Sequence, residues 1–71
     1  MIEEEKNLNR LRIGQLISEL RQEKGLSLKE LADMVGIDFS NLSKIERGKY
    51  NVGIDILYKV CKALGVDLKI E

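Results

Sequence analysis

The amino-acid sequence predicts a compact all-α domain of four to five helices, and three features of the chain support this prediction. Apolar residues recur at spacings of three and four, which is the period of an amphipathic helix. The composition is 44% hydrophobic, with 4% aromatic residues and no proline, and it suits a small helical domain better than a β-sandwich or a disordered segment. With 71 residues, the chain forms at most one domain with a small core.

The first predicted helix spans residues 8–24. Gly25 is placed to end it, because glycine readily adopts the left-handed conformation of a C-terminal cap. Residues 1–7 precede the helix as an acidic and polar N-terminal extension, and residues 8–65 form the domain itself. Four apolar side chains follow the spacing of one helix face: Ile13, Leu16, Ile17 and Leu20.

The second predicted helix begins near Leu28 and ends before Gly36. Ser27 and Glu30 form a capping-box pattern just ahead of it. In such a box the serine side chain accepts from the amide of the glutamate, and the carboxylate accepts from the amide of the serine. The side chains expected to point inward are Leu31, Ala32 and Val35.

The third predicted helix spans residues 39–47, with Asp38 as its N-cap and Gly48 as its end. Leu42 and Ile45 are its expected buried pair. The connection between the second and third helices is only three residues long, so the two helices fit a helix-turn-helix. In that motif the second of the two helices enters the major groove of DNA.

The fourth predicted helix spans residues 54–64 and stops at Gly65. The single cysteine cannot form an internal disulfide, and its place on the apolar stripe predicts a small core residue rather than a redox group. Residues 66–71 read VDLKIE, an alternation that predicts a short C-terminal strand. A fifth helix is the alternative, although too few residues remain for more than one turn. The apolar stripe of the fourth helix comprises Ile54, Leu57, Val60, Cys61 and Leu64.

The polar side of the third helix carries groups suited to the edges of DNA bases. Lysine can donate to guanine O6 and N7, serine can pair with either type of base, and phenylalanine can pack against a thymine methyl group. An ordinary solvated helix surface is the competing interpretation. The predicted base-contacting residues are Phe39, Ser40, Ser43 and Lys44.

Phosphate contacts are expected from residues at the end of the third helix and just beyond it, namely Arg47, Lys49, Tyr50 and Asn51. The chain has no net charge, which argues mildly against a nucleic-acid binder. Residues 6–50, however, hold nine basic and six acidic residues, so the middle of the chain is positive. Lys6, Arg10 and Arg12 fit phosphate contacts and a solvated face equally well.

Catalysis, metal binding and membrane insertion have little support in the sequence. There is no histidine and no GxxxxGK phosphate loop, and the acidic run at residues 3–5 is a terminal charge cluster rather than an acid/base pair. We therefore expect no enzyme activity, no metal and no cofactor. No apolar run approaches the roughly 20 residues of a membrane span and no signal peptide precedes the domain, so a cytoplasmic protein is expected.

Three stretches of the chain carry a family resemblance: LRQEKGLSLKELADMVGI at 20–37, NLSKIERGK at 41–49 and ILYKVCKALGV at 56–66. Together they resemble the lambda-repressor-like helix-turn-helix of phage repressors, Cro/C1-type proteins and the Xre family of bacterial regulators. The resemblance implies an operator-binding homodimer with residues 39–47 as the recognition helix, and a structural ion pair between Arg21 and Glu46. Leu28 stands where the family often has a phosphate-binding glutamine, which leaves Lys29 for that contact.

The function predicted from these observations is a sequence-specific transcriptional regulator that binds double-stranded DNA. As a homodimer it would recognise a partly palindromic operator. The alternative is a protein-interaction module, such as an antitoxin that holds a toxin. The VDLKIE segment keeps that alternative open, because a lone edge strand pairs readily across a dimer axis or with another protein. A frayed tail is the third interpretation of this segment.

Overall fold

Residues 3–67, which the computed structural model describes, form four α-helices. The all-α prediction is confirmed for this part of the chain. Residues 66 and 67 have no regular structure, and the rest of the predicted C-terminal strand lies outside the described residues. None of the helices within 3–67 combines the length and the hydropathy needed to cross a bilayer. The helices are α1 (Glu3–Glu23), α2 (Leu28–Val35), α3 (Phe39–Glu46) and α4 (Ile54–Ala63).

Helix α1 begins at Glu3, and the prediction that it starts at Leu8 was wrong. Its first turn contains three glutamates, Glu3, Glu4 and Glu5. Carboxylates near a helix N-terminus are stabilising because they face the positive end of the helix dipole. The acidic run therefore forms the start of the helix, and α1 is more than one turn longer than the apolar pattern indicated.

The core lies where α3 packs against α1 and α2 and where α4 packs against α2. Leu31 of α2, Leu42 of α3 and Val60 of α4 have no exposed surface. Burying a side chain of this size contributes about 1.5–3 kcal/mol to the free energy of unfolding. Within residues 3–67 the buried apolar side chains are Ile17, Leu31, Ala32, Val35, Leu42, Ile45, Val60 and Leu64.

The junctions around α2 follow the sequence prediction. The Glu30 amide donates to Ser27 Oγ at 3.0 Å, and the Ser27 amide donates to Glu30 Oε1 at 2.9 Å. The hydrogen bond from the Ser27 backbone amide lowers the pKa of the Glu30 carboxyl below its ordinary value of 4.5. At the other end of α2, the amides of Gly36 and Ile37 donate to the Ala32 carbonyl at 2.8 and 3.0 Å. These local bonds fix the turn that leads into α3.

Part of the predicted apolar stripe of α1 is not covered by the rest of the domain. Ile13 is 40% exposed and Leu16 is 55% exposed, so only part of the predicted stripe enters the core. The face that α1 turns toward α3 instead passes through Gly14 and Ile17, both of which are buried. In α4, Ile54 is 69% exposed. Cys61 is a half-buried thiol rather than a fully buried one.

Candidate nucleic-acid interface

One face of α3 is polar and accessible, while the opposite face is buried. Leu42 and Ile45 lie in the core, whereas Ser40 and Lys44 are exposed and Ser43 is half-buried. Residues 40, 43 and 44 are neighbours on the helix surface, because side chains three and four apart lie on the same side. Helix α3 therefore presents two hydroxyl groups and an ammonium group side by side.

Phe39 stands at the first position of α3 and is 57% exposed. It lies one turn before Ser43, so its ring borders the polar face instead of entering the core. An exposed phenylalanine beside polar side chains provides an apolar contact of the kind that a thymine methyl group would meet.

Asp38 occupies the N-cap of α3 with extended backbone angles, φ −67° and ψ 140°. Its carbonyl accepts from the amides of Asn41 and Leu42 at 3.0 and 3.1 Å. Asp38 is therefore the N-cap, as predicted, although its side chain makes no capping hydrogen bond.

Helix α3 ends in a tight turn at Gly48, which has a φ of 73°. The Lys49 amide donates to the Lys44 carbonyl at 2.8 Å, and the Gly48 amide donates to the Ile45 carbonyl at 3.0 Å. This pair of bonds is the Schellman arrangement, which favours glycine because of its positive φ. Arg47 caps the helix rather than extending it. The turn places the loop from 47 to 53 directly after the polar face.

Arg21 and Glu46 connect α1 to the C-terminal end of α3. Arg21 Nε donates to Glu46 Oε2 at 2.8 Å, and an Nη2 hydrogen bond reaches Glu46 Oε1 at 3.1 Å. Arg21 Nη1 also donates to the Leu26 carbonyl at 2.8 Å. The side chains are only 13% and 8% exposed, so the pair is largely shielded from water. The guanidinium group thus ties three segments together and fixes the orientation of α3.

A close backbone contact sets the distance between α1 and the end of α3. A Cβ atom on Gly14 would overlap the Ile45 carbonyl oxygen and stand 2.6 Å from that of Glu46. A Cβ atom on Gly48 would stand 2.7 Å from Leu11 Cα. Because real Cβ atoms do not approach other atoms this closely, only glycine fits at both positions without a shift of the backbone.

The predicted phosphate-contacting residues divide into two groups. Arg47, Lys49, Tyr50 and Asn51 are all exposed at the end of α3 and in the loop after it, and Arg47 Nε donates to the Ser43 carbonyl at 3.3 Å. Lys29 lies apart at the start of α2, where its Nζ is 3.6 Å from Asp33 Oδ2. Leu28, the neighbouring residue, is partly buried against the core.

Sequence reasoning left Arg10 undecided, and the structure places it beside the loop that follows α3. Arg10 and Lys49 line one cleft, and Arg10 and Asn51 line another. Arg12 lines neither of these clefts. The apolar period of α1 could not reveal this proximity, because it depends on the packing of α1 against a loop more than thirty residues later in the chain.

Within residues 3–67, no group of three or more His, Cys, Asp or Glu side chains is arranged to hold a metal ion. The chemistry that the interface offers is hydrogen-bond donation and positive charge from side chains on α3 and in the loop after it.

Comparison with known proteins identifies similar chains. Residues 17–70 match the helix-turn-helix family HTH_3. The chain is 47% identical over 57 residues to the HTH-type transcriptional regulator SinR of Bacillus subtilis, which covers 79% of this chain and 51% of SinR. It is 38% identical over 55 residues to the HTH-type transcriptional regulator PuuR of Escherichia coli, covering 78% of this chain and 30% of PuuR. The chain thus spans about half or less of the length of these relatives.

Solved structures show the same fold. The restriction-modification controller protein C.AhdI from Aeromonas hydrophila superimposes with a TM-score of 0.82 at 37% identity, covering 84% of this chain and 91% of that one. The clp gene regulator ClgR from Corynebacterium glutamicum gives a TM-score of 0.81 at 36% identity, covering 83% and 76%.

Proposed function

The chain belongs to the helix-turn-helix family HTH_3, and on that premise we propose that it is a transcriptional regulator that binds a partly palindromic operator as a homodimer. The observation that carries the proposal is the division of α3 into two faces. Leu42 and Ile45 hold the helix in the core, while the polar face remains accessible to a ligand. A helix of this kind fits the major groove of B-DNA.

The four side chains on the accessible face supply the chemistry of base reading. Lys44 donates to guanine O6 and N7, and Ser40 and Ser43 donate or accept at neighbouring base edges. Phe39 contributes an apolar contact to a thymine methyl group. A good bidentate contact, such as Lys44 would make with guanine, contributes about 1–3 kcal/mol of discrimination between sequences.

The loop after α3 supplies contacts that do not depend on sequence. Arg47, Lys49, Tyr50 and Asn51 lie at the end of the reading helix, where they would bind phosphates next to the bases that α3 contacts. Such contacts position the domain on the duplex without reading its sequence. Lys29 acts separately, at the start of α2, and its exposed pairing with Asp33 is weak enough to be exchanged for a phosphate.

Exposed apolar side chains on α1 and α4 support the homodimer. Ile13, Leu16, Ile54 and Tyr58 are each at least 40% exposed, and Ile13 shares a cleft with Leu57 of α4. Exposed apolar side chains of this size are suited to a protein contact, and the proposal places these four at the dimer interface. In a dimer, the two α3 helices would lie about 34 Å apart in successive major grooves. Pairing of the VDLKIE segment across the dimer axis stays a prediction, because most of that segment lies outside the described residues.

The alternative function, an antitoxin or another protein-holding module, gains no support from relatives that are named as transcriptional regulators. The same relatives support a non-enzymatic role. A regulator of this kind acts in the compartment that contains its DNA, so we retain the cytoplasm as the proposed location.

Selection of bound sequences from a randomised duplex pool tests the proposal. An enriched inverted repeat with half-site centres about one helical turn apart is the expected result. Retention of duplexes with no enriched sequence would contradict operator recognition.

A further inference from the structure

The function proposed above gives no role to the part of α1 that precedes residue 17. The family match begins at residue 17, whereas α1 begins at Glu3. About four turns of helix therefore precede the matched region. Three basic residues lie in this part of α1, namely Lys6, Arg10 and Arg12.

Arg10 occupies a place between two elements. It is half-buried and lines three clefts between α1 and the loop after α3. In one cleft its neighbours include Arg47 and Lys49, and in another they include Lys6 and Asn51. The backbone of α1 lies close to the loop here, because a Cβ atom on Gly48 would stand 2.7 Å from Leu11 Cα. This close approach keeps the Arg10 backbone beside the loop.

Arg10 differs from Arg21, the other half-buried arginine of α1, in its partners. Among residues 3–67 the ion pairs are Arg21 with Glu46 and Lys29 with Asp33, and neither involves Arg10. The comparison with Arg21 is direct, because the two arginines are about three turns apart and lie on the same side of α1. Arg21 is neutralised by Glu46, whereas the basic residues Lys6, Arg47 and Lys49 line the same clefts as Arg10.

We propose that Arg10 and Lys6 of α1, with Arg47 and Lys49 of the loop, form a phosphate-binding clamp on the DNA backbone beyond the helix-turn-helix. This inference rests on the proposed DNA-binding function. A guanidinium group binds phosphate oxygens through two parallel hydrogen bonds, and it does so best when no carboxylate competes for it. Arg10 lines one cleft with Arg47 and Lys49 and another with Lys6, and neighbouring positive charges of this kind are stabilised by an anion such as a phosphate.

The acidic start of α1 does not neutralise Arg10, the central residue of this clamp, whereas Lys6 lies within one turn of Glu3. Glu3 lies about 10 Å along the helix axis from Arg10, a separation at which salt largely screens exposed charges. No ion pair in the described chain joins the first-turn glutamates to Lys6 or Arg10. The glutamates act on the helix dipole instead.

Arg12 provides a matched control for Arg10. It is an exposed arginine on the same helix, two residues away and so on the opposite side. Arg10→Ala and Arg12→Ala change the net charge of the protein equally, but they remove it from opposite sides of α1.

The experiment measures binding of the full chain to a labelled random-sequence duplex and to the selected operator over a series of salt concentrations. Arg10→Ala should weaken binding to both duplexes by the same factor, roughly tenfold. The slope of log affinity against log salt should fall by about one. Arg12→Ala should match the wild type, and Arg10→Lys should keep the salt slope. The thermal unfolding midpoint of each variant establishes that it is folded.

Equal losses in Arg10→Ala and Arg12→Ala, at unchanged unfolding midpoints, would overturn the clamp. Failure of the proposed function has a different signature, since the wild type would then show no preference for any selected operator. The clamp is still tested in that case, because phosphate contacts act on a random duplex of any sequence.

Discussion

Gly14 of α1 and Glu46 of α3 are in backbone contact: a Cβ atom on Gly14 would stand 2.6 Å from the Glu46 carbonyl oxygen. The obstacle is main chain, so it cannot move aside as a flexible side chain would. This contact fixes how α1 sits on the end of the proposed reading helix. The same end carries the carboxylate that binds Arg21.

Gly14→Ala should therefore destabilise the domain. Alanine gains about 1 kcal/mol in helix propensity, but forcing a methyl group into this contact costs more, and we expect a net loss of about 1–2 kcal/mol in the free energy of unfolding. Urea denaturation measures the change. Gln15→Ala, an exposed position on α1, should be nearly neutral. If Gly14→Ala is as stable as the wild type, the backbone of α3 does not exclude a methyl group at this position of α1.

Removal of the Glu46 carboxylate should cost about 3 kcal/mol, because Glu46→Ala leaves a shielded guanidinium group without its partner. The double variant Arg21→Met, Glu46→Leu should lose less than Glu46→Ala alone, since no unpaired charge remains. Lys29→Ala, which breaks the exposed pair with Asp33, should change stability by less than about 1 kcal/mol. Equal effects at the shielded and exposed pairs in chemical denaturation would refute the structural role of Arg21 and Glu46.

The capping box of α2 should make stability depend on pH through Glu30. The pKa of Glu30 is lowered in the folded chain because the Ser27 backbone amide donates to its carboxylate. A lowered folded pKa contributes stability above the unfolded value and loses it as pH falls through the folded value. The free energy of unfolding of the wild type should fall relative to Glu30→Gln as pH drops below 4.5. A difference between the two proteins that stays constant with pH would contradict this linkage.

Ile54 tests the proposed dimer surface. Since it is 69% exposed, Ile54→Ser should leave the stability of the monomer nearly unchanged. If two copies bury this side chain, the dimer dissociation constant should rise about tenfold. Met34→Ser changes an exposed apolar residue on α2 and should leave the dimer intact. Analytical ultracentrifugation measures the dimer dissociation constant of both variants. If Ile54→Ser and the wild type have the same constant, Ile54 does not lie in the dimer interface.

Features determined by short stretches of sequence could be predicted, whereas those that depend on distant packing could not. The Ser27–Glu30 box and the turn at Gly36 follow from four or five neighbouring residues, and both were predicted. The start of α1 at Glu3 was missed although the signal was present, because three consecutive glutamates favour a helix N-terminus.

Long-range packing accounts for the remaining differences between the predictions from sequence and the structure. The apolar period of α1 identifies a stripe but not which part of it another helix covers, so it could not separate the exposed Ile13 and Leu16 from the buried Ile17. Arg10 and Arg21 look alike in sequence, since what distinguishes them is a carboxylate 25 residues beyond Arg21. The pairing of Arg21 with Glu46 came from the family resemblance, and no local rule predicts it.

The proposal that α3 reads base edges is tested most directly by the ratio of two dissociation constants, one for the selected operator and one for a scrambled duplex, at a single salt concentration. Lys44→Ala should reduce that preference by about 1–3 kcal/mol, because it removes a base contact. Lys59→Ala, which removes an exposed lysine from α4, should leave the ratio unchanged. If Lys44→Ala weakens operator and scrambled duplex equally, Lys44 contacts only phosphate and α3 does not read the sequence through it.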